Sequence, residues 1–326
     1  MRHFAACLLG AVMMFAANSA YAACTPTGFQ GMTAALVNPA STVSGPVDAT
    51  GCNIGVYFST GEGLVENAEV FGALNFGVLV NGDASNVSVD VIDSRIRNIG
   101  DVPFNGNQRG IGIYYRAFYS TGTATGRISG NKIELYQKGG IVANGQGTDV
   151  QVMENTVTGF GPVAFIAQNG IQIGYGAAAS VMKNTVTGHS YTGSSTVSGG
   201  IIVVGGPGYG TCPDGNACPY TVGTKIFQNQ VHDNDVGVFL TNLAADYSAP
   251  ATATNIKVVN NVISNNAVTN GYVYQAGISD VGDNDKLINN TISGDGYNPS
   301  ANPSVYTVMI DADVSFTNRP KVHANK

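Results

Sequence analysis

One six-residue frame returns along this chain and decides what it can fold into. Its clearest copies are Val-Met-Glu-Asn-Thr-Val at 152–157 and Val-Met-Lys-Asn-Thr-Val at 181–186. The same frame fits 128–133, 226–231, 258–263 and 287–292, around Asn131, Asn229, Asn261 and Asn290, and an earlier copy at 91–96 carries Ser94 in the Asn slot. Val152 and Val157 are an odd number of residues apart, so they cannot share one face of a straight strand, whose side chains alternate with period two. A bend must lie between them. Asn155 stands at that bend, and Asn tolerates the left-handed backbone that a tight corner needs. Recurrence in one frame predicts that these Asn side chains stack in successive coils and satisfy one another's buried polar groups as a ladder.

The Asn positions 131, 155, 184, 229, 261 and 290 recur at intervals of 24, 29, 45, 32 and 29 residues. Each copy is followed by an apolar element opened by Gly, such as Gly140-Ile141-Val142, Gly170-Ile171 and Gly200-Ile201-Ile202. Short strands separated by bends at that period describe an all-β solenoid of flat coils, roughly eight to ten of them at ~4.8 Å each. Composition agrees. Glycine is 43 of 326 residues and charged residues only 11 %, which excludes a coiled coil or a charged helical bundle, while 44 % apolar residues exclude disorder. The long interval contains 205–220, expected to be a loop extruded from one coil.

Residues 1–22 have an Arg-His start, an apolar run and Ala20-Tyr21-Ala22, the pattern of a cleaved export signal. The expected map is a signal at 1–22, an N-terminal cap at 23–52, the solenoid at 53–316 and a tail at 317–326. Without the signal the chain carries 14 basic and 21 acidic residues, a net charge of 14 − 21 = −7, with no basic run. Nucleic acid and anionic membranes are therefore poor expected partners, and no stretch reads as a membrane span. The four remaining cysteines favour the pairs Cys24–Cys52 and Cys212–Cys218 over lipidation of Cys24, in a secreted or periplasmic protein.

With the V-x-x-N-x-I coils at about 53–316, the sequence resembles the right-handed parallel β-helix proteins of the pectate-lyase-like superfamily. That resemblance implies the fold and leaves the activity open, since members include polysaccharide lyases, hydrolases, epimerases, tailspikes and adhesins. Their known catalytic patterns are missing: His189 is followed by Ser rather than Gly, no Asp-Asp occurs, and the chain has no Trp. The resemblance points to an extended, acidic polysaccharide or cell-surface glycan as partner, bound along the side of the rod, with a non-catalytic surface-interaction solenoid as the alternative.

Candidate site residues follow from stacking. Arg95, Arg97 and Lys132 flank the Asn column and would suit a uronate polymer, because lysis needs a cation for the carboxylate and a base for the C5 proton. His232-Asp233 offers an acid–base pair, although adjacent strand residues point to opposite faces. Tyr114, Tyr115 and Tyr175 offer rings for sugar stacking. Asp280, Asp283 and Asp285, around Gly282, place three carboxylates where Ca²⁺ would be the expected ion.

Overall fold

The computed structural model describes residues 23–312, 321–323 and 325–326; the expected signal at 1–22 and residues 313–320 of the C-terminal stretch lie outside them. The chain is a parallel β-helix. Each coil runs through a first strand, a bend at the Asn frame, a second strand, a loop-bearing corner and a third strand. Asp149–Met153, for example, pairs in parallel with Ala178–Met182 of the next coil, Thr156–Thr158 with Thr185–Thr187, and Gly139–Asn144 with Asn169–Gly174. First and second strands form one continuous 17-stranded sheet folded along the bend, and third strands form an 11-stranded sheet opposite it. These are called faces one, two and three below.

The core between the faces is built from the alternate residues that the pattern turns inward. Val152, Val157, Val181, Val186, Ile226, Val231, Val258 and Ile263 are all fully buried, beside Ile141, Ile171, Ile201 and Val238 from face three.

The Asn ladder runs unbroken through this core. Asn131, Asn155, Asn184, Asn229, Asn261 and Asn290 each donate Nδ2 to Oδ1 of the Asn one coil on, at 2.9–3.0 Å, ending at Asn325. Each backbone N–H bonds to that same oxygen at 2.9–3.0 Å. Ser94 starts the column by donating its N–H to Asn131 Oδ1 at 3.0 Å. The left-handed backbone, however, belongs not to the Asn but to the residue before it: Gly130, Glu154, Lys183, Gln228, Asn260 and Asn289 have φ of 54–68°. The bend is made one residue early, so that the Asn, itself outside the left-handed region, directs its amide inward.

Two end segments join the solenoid more closely than expected. Within the cap, Thr33–Val37 and Val43–Asp48 already pair in parallel with the next coil, leaving Thr25–Pro26 as an antiparallel strand on the edge. At the other end Lys321–His323, expected to trail as tail, pairs with Lys286–Ile288 on face one. Both disulfides form in the expected pairs, with Cα–Cα distances of 5.5 Å for Cys24–Cys52 and 4.9 Å for Cys212–Cys218.

Candidate functional site

A groove lies on the outer side of face three. Strand register stacks Tyr114, Val142, Gln172, Ile202, Phe239 and Ser279 in one outward column on consecutive coils. Two hollows, of about 360 and 260 Å³, sit over this column and share Lys138, Asn169 and Gln172 as lining, so they form one groove along the rod. Its polar floor is linked: Gln172 Nε2 donates to Asn144 Oδ1 at 3.2 Å, and Asn144 Nδ2 to the Tyr114 hydroxyl at 3.5 Å.

Loops from the two ends of the third strands make the walls. On one side, the loop 101–110 is folded around the buried Gln137 amide, whose Oε1 accepts Asp101 N–H at 3.0 Å and Asn105 N–H at 3.3 Å, while Nε2 donates to Asn107 O at 2.7 Å. That loop presents Arg109, tied to Asp101 at 2.5 Å; the guanidinium holds the Asp101 carboxyl down at about 2. On the other side stand Tyr175 and Tyr209, edge to face at 6.2 Å. The expected extruded loop carries Tyr209, and its disulfide packs on Phe118. Between the walls, Lys138 reaches Ala167 O with Nζ at 2.8 Å, and burial lowers the pKa of its ammonium group.

Only part of the expected site belongs to this groove. Tyr114 and Tyr175 line it. Tyr115 does not: it is fully buried in the core and donates its hydroxyl to Val89 O at 2.6 Å, because it alternates with Tyr114 along the strand.

Arg95, Arg97 and Lys132 do come together, on face two, but not as free cations. Arg95 pairs with Glu69 at 3.2 Å and Glu134 at 2.5 Å, Arg97 with Glu69 at 2.7 Å, and Lys132 with Glu134 at 2.9 Å. Arg97, then Arg95, lowers the Glu69 carboxyl; Lys132 and Arg95 lower that of Glu134. The cluster is largely self-neutralised.

His232 and Asp233 do not pair. His232 Nδ1 meets Ser264 Oγ at 2.8 Å, while Asp233 turns outward at a left-handed corner with φ 54°. The expected calcium set is also not a triad, and among the described residues no three His, Cys, Asp or Glu side chains converge as metal ligands. Asp280 points inward, in register with Leu240, and takes Gly282 N–H at 2.8 Å. Asp285 Oδ1 accepts Thr254 Oγ1 at 2.6 Å and Ile256 N–H at 2.7 Å. Asp280 and Asp285 both close on Gly282, each with one buried oxygen that no donor among the described residues meets, and burial raises the pKa of both, so the pair is driven to hold a proton where separate carboxylates would not.

Comparison with known proteins adds little. No protein-family profile matches the chain, and no curated protein matches it in sequence. Among solved structures, the A-module of mannuronan C-5 epimerase AlgE6 from Azotobacter vinelandii aligns over 83 % of this chain and 89 % of that one, at 15 % identity and a TM-score of 0.30. The fold assignment stands on strand register, and the class the chain defines is a parallel β-helix with a lateral groove on its third face.

The loop-organising amides went unread in the sequence. Gln168 and Gln275 do for their loops what Gln137 does for 101–110, accepting Phe160 N–H at 2.9 Å and Thr269 N–H at 2.8 Å. Their signal is a Gln shortly before the apolar third-strand element.

Proposed function

We propose that the chain is an exported protein that binds an extended polysaccharide lengthwise in the face-three groove. The observation that carries this reading is the continuity of the two hollows over stacked coils, with an aliphatic and amide floor and tyrosines on one wall. Sugar rings present C–H faces to Tyr and aliphatic side chains and hydroxyls to amides, and polar groups at fixed points give a mostly apolar pocket its specificity. Two disulfides fit an oxidising compartment.

Acidic sugars enter this reading sparsely. Arg109 is committed to Asp101 and Arg116 to Asp83 at 2.6 Å, which leaves Lys138 as the groove cation placed to meet an occasional carboxylate. Binding is the activity assigned; the former catalytic candidates Arg95, Arg97, Lys132, His232 and Asp233 lie on the other sheet or its corner, facing away from the groove. The test is affinity electrophoresis against a panel of neutral and acidic polysaccharides, with unsaturated products and reducing ends read in parallel. Retardation by a polymer that is weakened in Tyr175→Ala and Tyr209→Ala supports the reading. Equal retardation of both variants and the parent, or none by any polymer, defeats it.

A further inference from the structure

Face one carries a feature unrelated to the groove. Register pairs Lys225 with Lys257, Lys257 with Lys286, and Lys286 with Lys321, each one coil from the next. Ile226, Val258 and Leu287 beside them point into the core, so Lys225, Lys257 and Lys286 point outward. Three lysine side chains thus leave the sheet in single file from backbones at the ~4.8 Å strand spacing, and the backbone of Lys321 continues the line.

This row is unlike most other cations among the described residues. Arg95, Arg97, Arg109, Arg116, Arg127, Lys132 and Lys183 all pair with carboxylates, whereas among the described residues no ion pair or hydrogen bond engages Lys225, Lys257 or Lys286. The six strands of these coils on faces one and two, Lys225–Phe227, Gln230–His232, Lys257–Val259, Val262–Ser264, Lys286–Ile288 and Thr291–Ser293, contain no Asp or Glu. Asp283 and Asp285, close to Lys286 in sequence, are buried; Asp233 is at the far corner. Like charges directly opposite one another in a sheet repel, and a net negative chain offers acids enough to break the row. Two residues along, Phe227, Val259 and Ile288 form a parallel, half-buried apolar column on the same face.

From this juxtaposition we infer that face one is a second binding surface, which takes a linear, carboxylate-bearing polysaccharide along the lysine row. A polymer with one charge per sugar advances at about the pace of one coil, and its C–H surfaces suit the apolar column. Single-stranded nucleic acid would call for a run of aromatic stacking platforms, and here Phe227 stands alone. A bilayer surface favours a broad basic patch rather than a line.

The experiment titrates the disulfide-bonded chain with oligogalacturonates of increasing length at several salt concentrations, beside single-stranded DNA, anionic phosphatidylserine vesicles and neutral dextrins. Affinity should rise with length until the row is spanned. The triple variant Lys225→Gln, Lys257→Gln, Lys286→Gln, altered only at outward side chains, should bind at least ~10-fold more weakly, with the slope of log affinity against log salt reduced by about 2. Tyr209→Ala should leave this binding intact, so failure of the groove reading would not imitate failure here. Undiminished binding by the triple variant, tighter binding of DNA or vesicles than of oligogalacturonate, or no oligogalacturonate binding at low salt would overturn the inference.

Discussion

Replacing Asn184 by Leu tests whether the ladder carries the fold. Four hydrogen bonds go with the amide: Nδ2 to Asn229 Oδ1 and to Val152 O, both 3.0 Å, and those that Oδ1 accepts from Asn155 N at 3.0 Å and Asn155 Nδ2 at 2.9 Å. The losses are unequal. Asn155 Nδ2 still donates to Ile128 O, and Asn229 Oδ1 still accepts Asn184 N–H. The Asn155 N–H loses its acceptor in a dry core, which costs about 1–3 kcal/mol, and the other lost bonds add about 1 kcal/mol between them, since most of their atoms keep a partner. Leu shares the branched outline of Asn and is the bulkier of the two, so no cavity contributes. Urea unfolding should therefore show about 2–4 kcal/mol of destabilisation. Asn184→Asp sharpens the test: its oxygens can accept from Asn155 but, ionised, face Val152 O and Asn229 Oδ1. Burial would raise the pKa of that new carboxyl, so the folded state binds the proton more tightly and the variant should regain stability as pH falls. A loss under about 0.5 kcal/mol for Asn184→Leu, as at a solvated turn, would refute the reasoning.

The disulfides should differ in worth. Closing 28 residues by Cys24–Cys52 and 6 by Cys212–Cys218 gives about 3.6 and about 2.2 kcal/mol by loop entropy, measurable in Cys→Ser pairs by urea unfolding. His189, buried with Tyr136 on Nε2 and Asn234 Oδ1 on Nδ1 at 2.7 Å, is pushed down by burial to about 4. The unfolded chain then binds the extra proton between pH 6.5 and 4, so about 3 kcal/mol of stability is lost as pH falls through that window; His189→Gln should flatten the melting curve there, and an unchanged pH slope would contradict it. For Asp285 the sign is opposite, because a raised carboxyl stabilises at low pH and loses that contribution as pH rises. Asp285→Asn, a permanent donor to Asp280, should raise the melting temperature in alkaline buffer and change it little near pH 5, while millimolar Ca²⁺ against chelator should leave the parent unmoved.

The solenoid was legible because its signal is local: the five-residue step from Val152 to Val157 forces a bend, and Asn155 recurs with it. The disulfide pairs were legible because only four cysteines remain beyond residue 22 and two of them stand six residues apart. The corner itself was misread by one position, since Glu154 and Lys183 are not residues that advertise left-handed backbone. The groove stayed hidden because face three is apolar on both sides. Ile202 in the floor and Ile201 in the core look alike, and only register tells them apart. Nor does the sequence bring Glu69 to Arg97, or line up Lys225, Lys257 and Lys286, which lie 32 and 29 residues apart; these neighbours exist only once coils stack.

Hydroxyl-radical footprinting with a retarded polysaccharide bears most directly on where the polymer lies. The groove reading predicts that Tyr175, Tyr209 and Phe239 lose reactivity together while Leu135, half-exposed on face two, does not. Protection of face two with Tyr175, Tyr209 and Phe239 unchanged would contradict it.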